Sequence, residues 1–591
     1  MTRRTVAALL VSAFAFVACD RHGKHQPDQP GAAGTSGRGE MTVGEALSGA
    51  RPIFVAADDE GARLWKLTRQ FYQKRGEAPA WIENRKARPQ MDELIGALQG
   101  ADREGLDPAL YNVATLTARR QEAGRGFLTT KGFAPAEASK LDVWLTYLYL
   151  SYASDLSSGV SDLSHADPNW KIRDDKPDLL GLLEKSIDEN RVAASLKELV
   201  PQHRQYVGLR DALAKYRELA QRGGWQPLPA QLKLKPGQNN PAVLALAKRL
   251  SITGDYTDAV NEQDTRYGAE LQEAVKRFQR RHGLEPDGTV GAAVVAQMNV
   301  PIDERIRQLS LNLERWRWLP RALGDRYILV NIPEYRLEVW DHDKVPLSMR
   351  VVVGKKDTPT PIFADDMTHV VFAPYWNIPP DIVKNETLPS VLRDSAFLQR
   401  TNMEVVDNNG NVVDPSSIDL ENAGAYRIRQ RPGSSNSLGL VKFMFPNSFN
   451  VYLHDTPADS LFARTTRSFS HGCVRVEEAE KLAQYVLGDQ PEWTPEKIDA
   501  AMHAGEERTV KLRAPIPVYL GYWTARVSAD GILQFRGDLY GIDGRQMTLL
   551  AGVLNKLKMR ADQAATAYDT AVRSSQAADR NRRASKASRR R

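Results

Sequence analysis

Cysteine is nearly absent from this chain: among 591 residues there are two, Cys19 and Cys473. Two thiols can neither staple a disulfide scaffold nor furnish a four-cysteine zinc site, so stability has to come from buried apolar surface. Past the N-terminal segment there is no apolar run long enough to span a bilayer. There is no HExxH string, and no cluster of metal-ligating side chains beyond His471 beside Cys473, so neither a metal nor an organic cofactor is expected. An excess of one charge is missing too, despite a formal net charge of +7. From Arg573 onward eight basic residues face one acid, Asp579, so residues 1–572 are electrically balanced. The basicity therefore belongs to a tail, which reads as a solvated end rather than as a nucleic-acid surface, and its partner stays open.

What is present is a chain 42% hydrophobic and 26% charged. That composition excludes wholesale disorder, and the length exceeds what one ordinary core supports, so several domains are expected. Residues 1–19 read MTRRTVAALLVSAFAFVAC, two arginines followed by a short apolar run, the charge order of a secretory signal. The end, Phe16-Val17-Ala18-Cys19, resembles a bacterial lipobox, although Phe16 stands where Leu is usual. The resemblance implies cleavage before Cys19, its lipidation, and a periplasmic protein anchored to the membrane; the alternative is an ordinary signal cut near Ala18. Residues 20–57, rich in Gly, Pro and Ser at their start, read as a flexible linker.

The body divides by hydrophobic period. Residues 58–236 carry helical stripes, among them Leu64, Leu67, Phe71 and Tyr72, and Leu141 to Leu156 is apolar on nearly every side, as a central buried helix would be. This predicts a helical scaffold domain. In residues 237–300, Phe278-Gln279, Gly283-Leu284 and Asp287-Gly288-Thr289-Val290-Gly291 resemble the pattern of the small helical peptidoglycan-binding module of cell-wall enzymes, with Val243 to Leu250 as its first helix. Residues 301–548 change period: a helix from Ile306 to Trp318, then alternating β segments through Phe535, interrupted by a polar stretch at 381–425 that reads as an inserted lid. Leu549 to Tyr568 reads as an amphipathic helix, and the remainder of 549–591 as a disordered basic tail.

Chemistry concentrates around Cys473, in Ser470-His471-Gly472-Cys473-Val474-Arg475, with His454 upstream in Tyr452-Leu453-His454-Asp455. A thiol near pKa ~8.5 is mostly protonated at neutral pH and needs a base or cation beside it to act as a nucleophile. His454 can take its proton, and so by spacing alone can His471. Gly472 lets backbone approach closely, and amides around Gly472 and Cys473 can donate to an oxyanion. Arg475, two residues on, shares a strand face with Cys473 and can hold a carboxylate. By spacing alone, a small inert core cysteine is an equal reading.

The full string resembles the signature of the L,D-transpeptidases, and the order of signal, helical domain, peptidoglycan-binding module and catalytic domain with an insertion resembles the long Gram-negative kind with a YkuD-type catalytic domain. Pro374-Tyr375-Trp376-Asn377-Ile378-Pro379 and Arg431-Pro432-Gly433 through Asn436-Ser437-Leu438-Gly439 match further family segments. The fold implied is multidomain α+β with a mainly-β catalytic domain. The resemblance implies Cys473 as nucleophile, His454 as general base and acid, Gly472 at the oxyanion hole, and Arg475, Tyr452, Ser470, His471, Asn436 and Trp376 toward substrate. It implies a thioester formed on a tetrapeptide stem and resolved by an amine into a 3-3 cross-link, with peptidoglycan glycan and stem peptides as partners. Water, a D-amino acid or a lipoprotein lysine can resolve the same thioester, and a non-catalytic wall-binding tether is the alternative outside enzymes.

Overall fold

The computed structural model describes residues 41–125, 132–160, 170–172, 176–415 and 426–588. The export segment with Cys19 lies outside them. Among the described residues no helix is long and apolar enough to cross a membrane.

The scaffold is helical, as its period requires. Helices α1 (Val43–Ser48), α2 (Asp59–Lys74), α3 (Pro135–Ser158) and α4 (Arg204–Gln221) carry much of its core. Every residue from Leu141 to Leu150 is buried, which is why that stretch shows no polar face. Its one acid, Asp142, accepts the amides of Ala80, Trp81 and Ile82 at 2.8–2.9 Å and the Tyr72 hydroxyl at 2.6 Å. A buried carboxyl survives there because all its partners are built in. The flexible linker expected through residue 57 is corrected for residues 41–57. The capping box of Thr42 and Glu45 starts α1, Val43 and Val55 are buried, and Phe54 stacks on Trp144, so this stretch is part of the scaffold core.

The next unit packs helices α5 (Ala242–Ile252), α6 (Ala269–Arg281) and α7 (Ala292–Met298) around a core of its own, with Leu246, Phe278, Val295 and Met298. Its sequence pattern is a set of mutual contacts. The Gln279 amide donates to Asp287 Oδ1 and accepts from the Gly288 amide, both at 2.8 Å, and the Tyr267 hydroxyl donates to the Gly288 carbonyl at 2.6 Å. The Asp-Gly turn is thereby locked onto the α6 helix.

Helix α8 (Ile302–Arg317) leads into the β domain: β1 (Arg326–Asn331), β2 (Arg336–Asp341), β3 (Lys344–Gly354), β4 (Ile362–Phe372), β5 (Val441–Met444), β6 (Leu453–His454), β7 (Ser468–Ser470), β8 (Val474–Val476) and β9 (Arg508–Gly521). Pairing runs β5, β6, β8, β3, β2, β1, β9, β4 and back to β5, a closed ring without free edges, with β7 beside β3. The scaffold adds Trp170–Lys171 parallel to the start of β4. The insertion forms its own four-stranded sheet from 376–377, 403–407, 412–413 and 426–430, fixed by Glu404 with Arg429 at 2.7 Å and with Arg431.

The C-terminal segment is corrected: one helix, α9 (Ile542–Ser588), replaces the shorter helix and disordered tail. Its polar anchors hid it from a search for apolar stripes. Asp543 pairs at 2.7 Å with the fully buried Arg315 of α8, and Tyr568 packs on Trp144 and donates to Glu137 at 3.0 Å. It straps the catalytic domain to the scaffold.

Candidate active site

Strands β6 and β8 run parallel, with Leu453 opposite Val474 and His454 opposite Arg475. Side chains alternate along a strand, so Tyr452 and His454 share one face with Cys473 and Arg475. Their rings confirm the first pair: Tyr452 and His454 meet edge to face at 5.7 Å. The Tyr452 side chain acts on the thiol, lowering its pKa, and the sulfur lies 3.8 Å from the Asn450 carbonyl. His454 and Cys473 are diagonal neighbours in adjacent strands, and no hydrogen bond joins them among the described residues.

Short connections hold the loop that carries Cys473. Gly472 has φ +118, a left-handed value that L side chains avoid, and it turns the chain between β7 and Cys473. Ser470 Oγ donates to the Cys473 carbonyl at 2.5 Å and accepts the Gly472 amide at 3.2 Å. Thr360 Oγ1 donates to the Gly472 carbonyl at 2.8 Å and accepts the Gly354 amide at 2.9 Å. Tyr540 OH in turn donates to the Gly354 carbonyl at 2.7 Å and accepts the Thr360 amide at 3.2 Å. A Cβ on Gly354 would stand 2.2 Å from the Thr358 carbonyl oxygen, so this crossing requires glycine.

His454 is buried and its Nδ1 lies 2.5 Å from the Asp455 carbonyl. A carbonyl only accepts, so Nδ1 carries the proton and Nε2 keeps its lone pair. Burial, with the nearby Arg475 charge, pushes its pKa down to about 3, so the ring is a neutral acceptor at physiological pH. Burial also raises the Cys473 thiol, partly opposed by Tyr452 and Arg475. The resting pair is therefore neutral thiol with neutral imidazole. Arg475 is half-buried; its Nε is buried without an acceptor, and it forms no ion pair among the described residues. Such a cation costs desolvation energy without a built-in counter-charge, which marks it as a seat for an anion brought from outside.

Several sequence expectations change. Asn436 does not face substrate: it is fully buried, its amide donates to the Pro374 and Arg431 carbonyls at 3.0 and 2.9 Å, and it accepts the Leu438 amide. Ser470 is likewise consumed within the loop. The amide of Gly472 is taken by Ser470, whereas Cys473's own amide has no acceptor among the described residues. His471 does not share the thiol's face, because the turn at Gly472 ends strand alternation. It is exposed and bonds Glu386 of the insertion at 2.7 Å. Trp376 pairs with Gln430 in the insertion's sheet and makes no hydrogen bond or ring contact with the four site residues. Reading along the chain missed Thr360, Tyr540, Asp455 and Glu386, which lie far from Cys473 in sequence or act through backbone.

Thr360 is a positioning residue. Thr360→Val is expected to lower the acylation rate about tenfold with little change in apparent substrate affinity, through loss of one buried hydrogen bond to the loop. Thr360→Ser should restore it, and a variant slowed equally by Ser and Val would assign Thr360 to packing alone.

Comparison with known proteins places this geometry. Residues 325–511 match the family model of the L,D-transpeptidase catalytic domain, residues 239–298 that of the "Putative peptidoglycan binding domain", and residues 66–213 that of the "Scaffold domain". A curated Haemophilus influenzae protein described as a "Putative L,D-transpeptidase" is 37% identical over 246 residues, which is 41% of this chain and 49% of that protein. The chain thus spans about half the length of this curated relative. Among solved structures, an L,D-transpeptidase from Mycobacterium smegmatis is 14% identical over 33% of this chain and 58% of its own, with a TM-score of 0.16. One from Xylanimonas cellulosilytica is 17% identical over 50% of this chain and 100% of its own, also at 0.16.

Proposed function

We propose that this chain, whose residues 325–511 match the model of the L,D-transpeptidase catalytic domain, is a cysteine acyltransferase that forms 3-3 cross-links in peptidoglycan. The observation that carries the reading is the half-buried Arg475, whose Nε is buried without an acceptor, on the same strand face as Cys473 and His454. A carboxylate on the donor stem supplies its missing partner and brings the scissile carbonyl to the thiol.

Cys473 Sγ adds to the carbonyl joining the L-centre of diaminopimelate to D-Ala, while its proton passes to His454 Nε2. The amide of Cys473 receives the oxyanion. The C–N bond breaks, His454 returns the proton to the departing D-Ala amine, and a thioester remains. The side-chain amine of a second stem attacks the thioester, gives a proton to His454, and the thiol is released. The energy of the broken amide is kept in the thioester, so no other reactant enters. The reaction belongs in the periplasm, with lipid on Cys19 holding the chain to the membrane.

Incubation with tetrapeptide muropeptides followed by mass spectrometry tests the reaction: cross-linked dimers are expected, and hydrolysis products alone would overturn it. Arg475→Ala should raise KM for the stem peptide or lower kcat/KM by about 10²-fold, the weight of a charge-assisted contact in a dry site. Unchanged kinetics would assign Arg475 to structure.

A further inference from the structure

Helix α9 lies along the scaffold helix α3 in the opposite direction. Its residues Val553, Leu557 and Arg560 wall a cavity together with Ser151, Asp155 and Val160, toward the C-terminal end of α3. Further along, Tyr568 packs on Trp144 and donates to Glu137, which stands in the first turn of α3. Asp569 pairs with Arg119 at 2.6 Å, and Val572 is the last buried residue of α9 among those whose side chains are described. Beyond it Arg573, Ser574, Ala577, Asn581 and Ser585 are all exposed. The helix thus runs past the start of α3 and continues to Ser588, an overhang of about 24 Å at ~1.5 Å per residue.

This overhang has nothing with which to join a protein core. From Arg573 to Arg591 the only apolar side chains are alanines, while eight basic residues face one acid, so the stretch holds the whole formal net charge of +7. Five of the cations, Arg573, Arg580, Arg582, Arg583 and Lys586, fall within the helix. A polycation without large apolar side chains adsorbs by charge alone, and it suits an extended anionic surface.

The other end of the chain points to which surface. The Ser139 hydroxyl donates to the Met41 carbonyl at 2.6 Å, within the same turn of α3 as Glu137, the partner of Tyr568. Phe54 stacks on the same Trp144 that meets Tyr568. The segment preceding Met41 holds the apolar run and Cys19, so that segment and the cationic overhang leave the scaffold side by side at one end of α3. A lipid on Cys19 limits how far the body stands from a bilayer but does not set which way it faces. A cationic helix beside that attachment supplies a second point of contact, and anionic headgroups are the surface within its reach.

We infer that residues 573–591 dock on anionic phospholipid headgroups and turn the N-terminal end of α3 toward the membrane. The orientation rests on the membrane attachment proposed above; adsorption itself needs no lipid on the protein.

The test is cosedimentation of the chain from residue 20 onward, which keeps every described residue and carries no lipid, with vesicles of about 30% phosphatidylglycerol in phosphatidylcholine. It is compared with the fourfold variant Arg580→Gln, Arg582→Gln, Arg583→Gln, Lys586→Gln. Glutamine keeps helix propensity and all four positions lie beyond Val572, so the fold should survive, and carbapenem acylation of Cys473 should match wild type. Wild type should bind these vesicles and not pure phosphatidylcholine. The variant should bind about 10²-fold more weakly, since each cation within a Debye length of the surface strengthens adsorption several-fold. Arg580→Lys, Arg582→Lys, Arg583→Lys, which keeps the charge, should bind as wild type does. Equal vesicle binding by wild type and the glutamine variant, or equal binding to phosphatidylcholine, would overturn the docking. So would cosedimentation with purified sacculi that depends on these cations while vesicles are not bound, which would give the overhang to a cell-wall polymer. Lipid on Cys19 is read separately, from the mass of protein extracted from membranes: an unmodified Cys19 with charge-dependent vesicle binding removes the covalent attachment and leaves the docking standing.

Discussion

Cys473→Ala is expected to abolish covalent capture by a carbapenem and to lower dimer formation by a factor on the order of 10⁴ or more, with the fold retained. The size follows from removing the one thiol among the described residues, since a site stripped of its nucleophile keeps only binding and oxyanion contacts. The fold should survive because the loop is held by other atoms: Ser470 Oγ on the Cys473 carbonyl, Thr360 on the Gly472 carbonyl, and Gly472 in its left-handed turn. Alanine loses only the thiol's contacts with Tyr452 and Asn450. A melting temperature within about 2 °C of wild type is expected, since one sulfur atom and its weak contacts are all that is removed. Intact-protein mass spectrometry reads the adduct, and an alanine variant that still gains the mass would remove Cys473 from the mechanism.

His454→Gln is expected to slow acylation by about 10²- to 10⁴-fold at pH 7. Glutamine approximates the volume and can still donate to the Asp455 carbonyl, so the loss isolates proton transfer. The pH profile carries the sharper test. In the wild type the imidazole titrates at about 3 and the thiol lies above its ordinary value, so the acylation rate should be nearly flat from pH 5.5 to 7.5. In the variant the thiolate forms only by bulk titration, and the rate should rise about tenfold per pH unit. A wild-type rate that falls with a midpoint near ~6.5 would show a solvated ring and overturn the buried neutral base.

The same group links folding to pH. His454 is neutral when folded and binds a proton near ~6.5 when unfolded, so the unfolded state takes up protons first as pH falls. Its contribution to stability is fully present above ~6.5 and is lost on acidification toward 3, at about 1.4 kcal/mol per pH unit. His203, also pushed down to about 3 by burial, adds in the same sense, while the buried acids Asp142 and Asp155, raised by burial, act against it. The difference between wild type and His454→Gln in denaturant unfolding at pH 7 and pH 5 cancels these other groups. It should shrink on the acid side.

Much of the architecture was legible in advance because it rests on local periodicity. The apolar run from Leu141 to Leu156 is a buried helix, the alternating stretches from Val330 to Val353 are ring strands, and Gln279 with Asp287-Gly288 close a turn within one small module. The chemistry-bearing string is short and local too, so Cys473, His454 and Arg475 could be named from it. Errors arose where a local rule met a tertiary fact. Ser470 and Asn436 carry polar atoms suited to a ligand, yet both are spent on the backbone of their own loops. His471 fits strand spacing, but the turn at Gly472 points it to Glu386.

Residue order alone determined that this chain has helical, module and β parts and one thiol with a histidine and an arginine at the right intervals, because helix and strand periods and short turns depend on neighbours in sequence. Only the tertiary structure decided which groups hold the site. Thr360 and Tyr540 reach Gly354 and Gly472 across gaps of more than a hundred residues, Arg315 meets Asp543, and Met41 and Tyr568 meet one turn of α3. Such contacts follow from how surfaces close on one another and from which polar groups lose their water in doing so, and no local pattern encodes that.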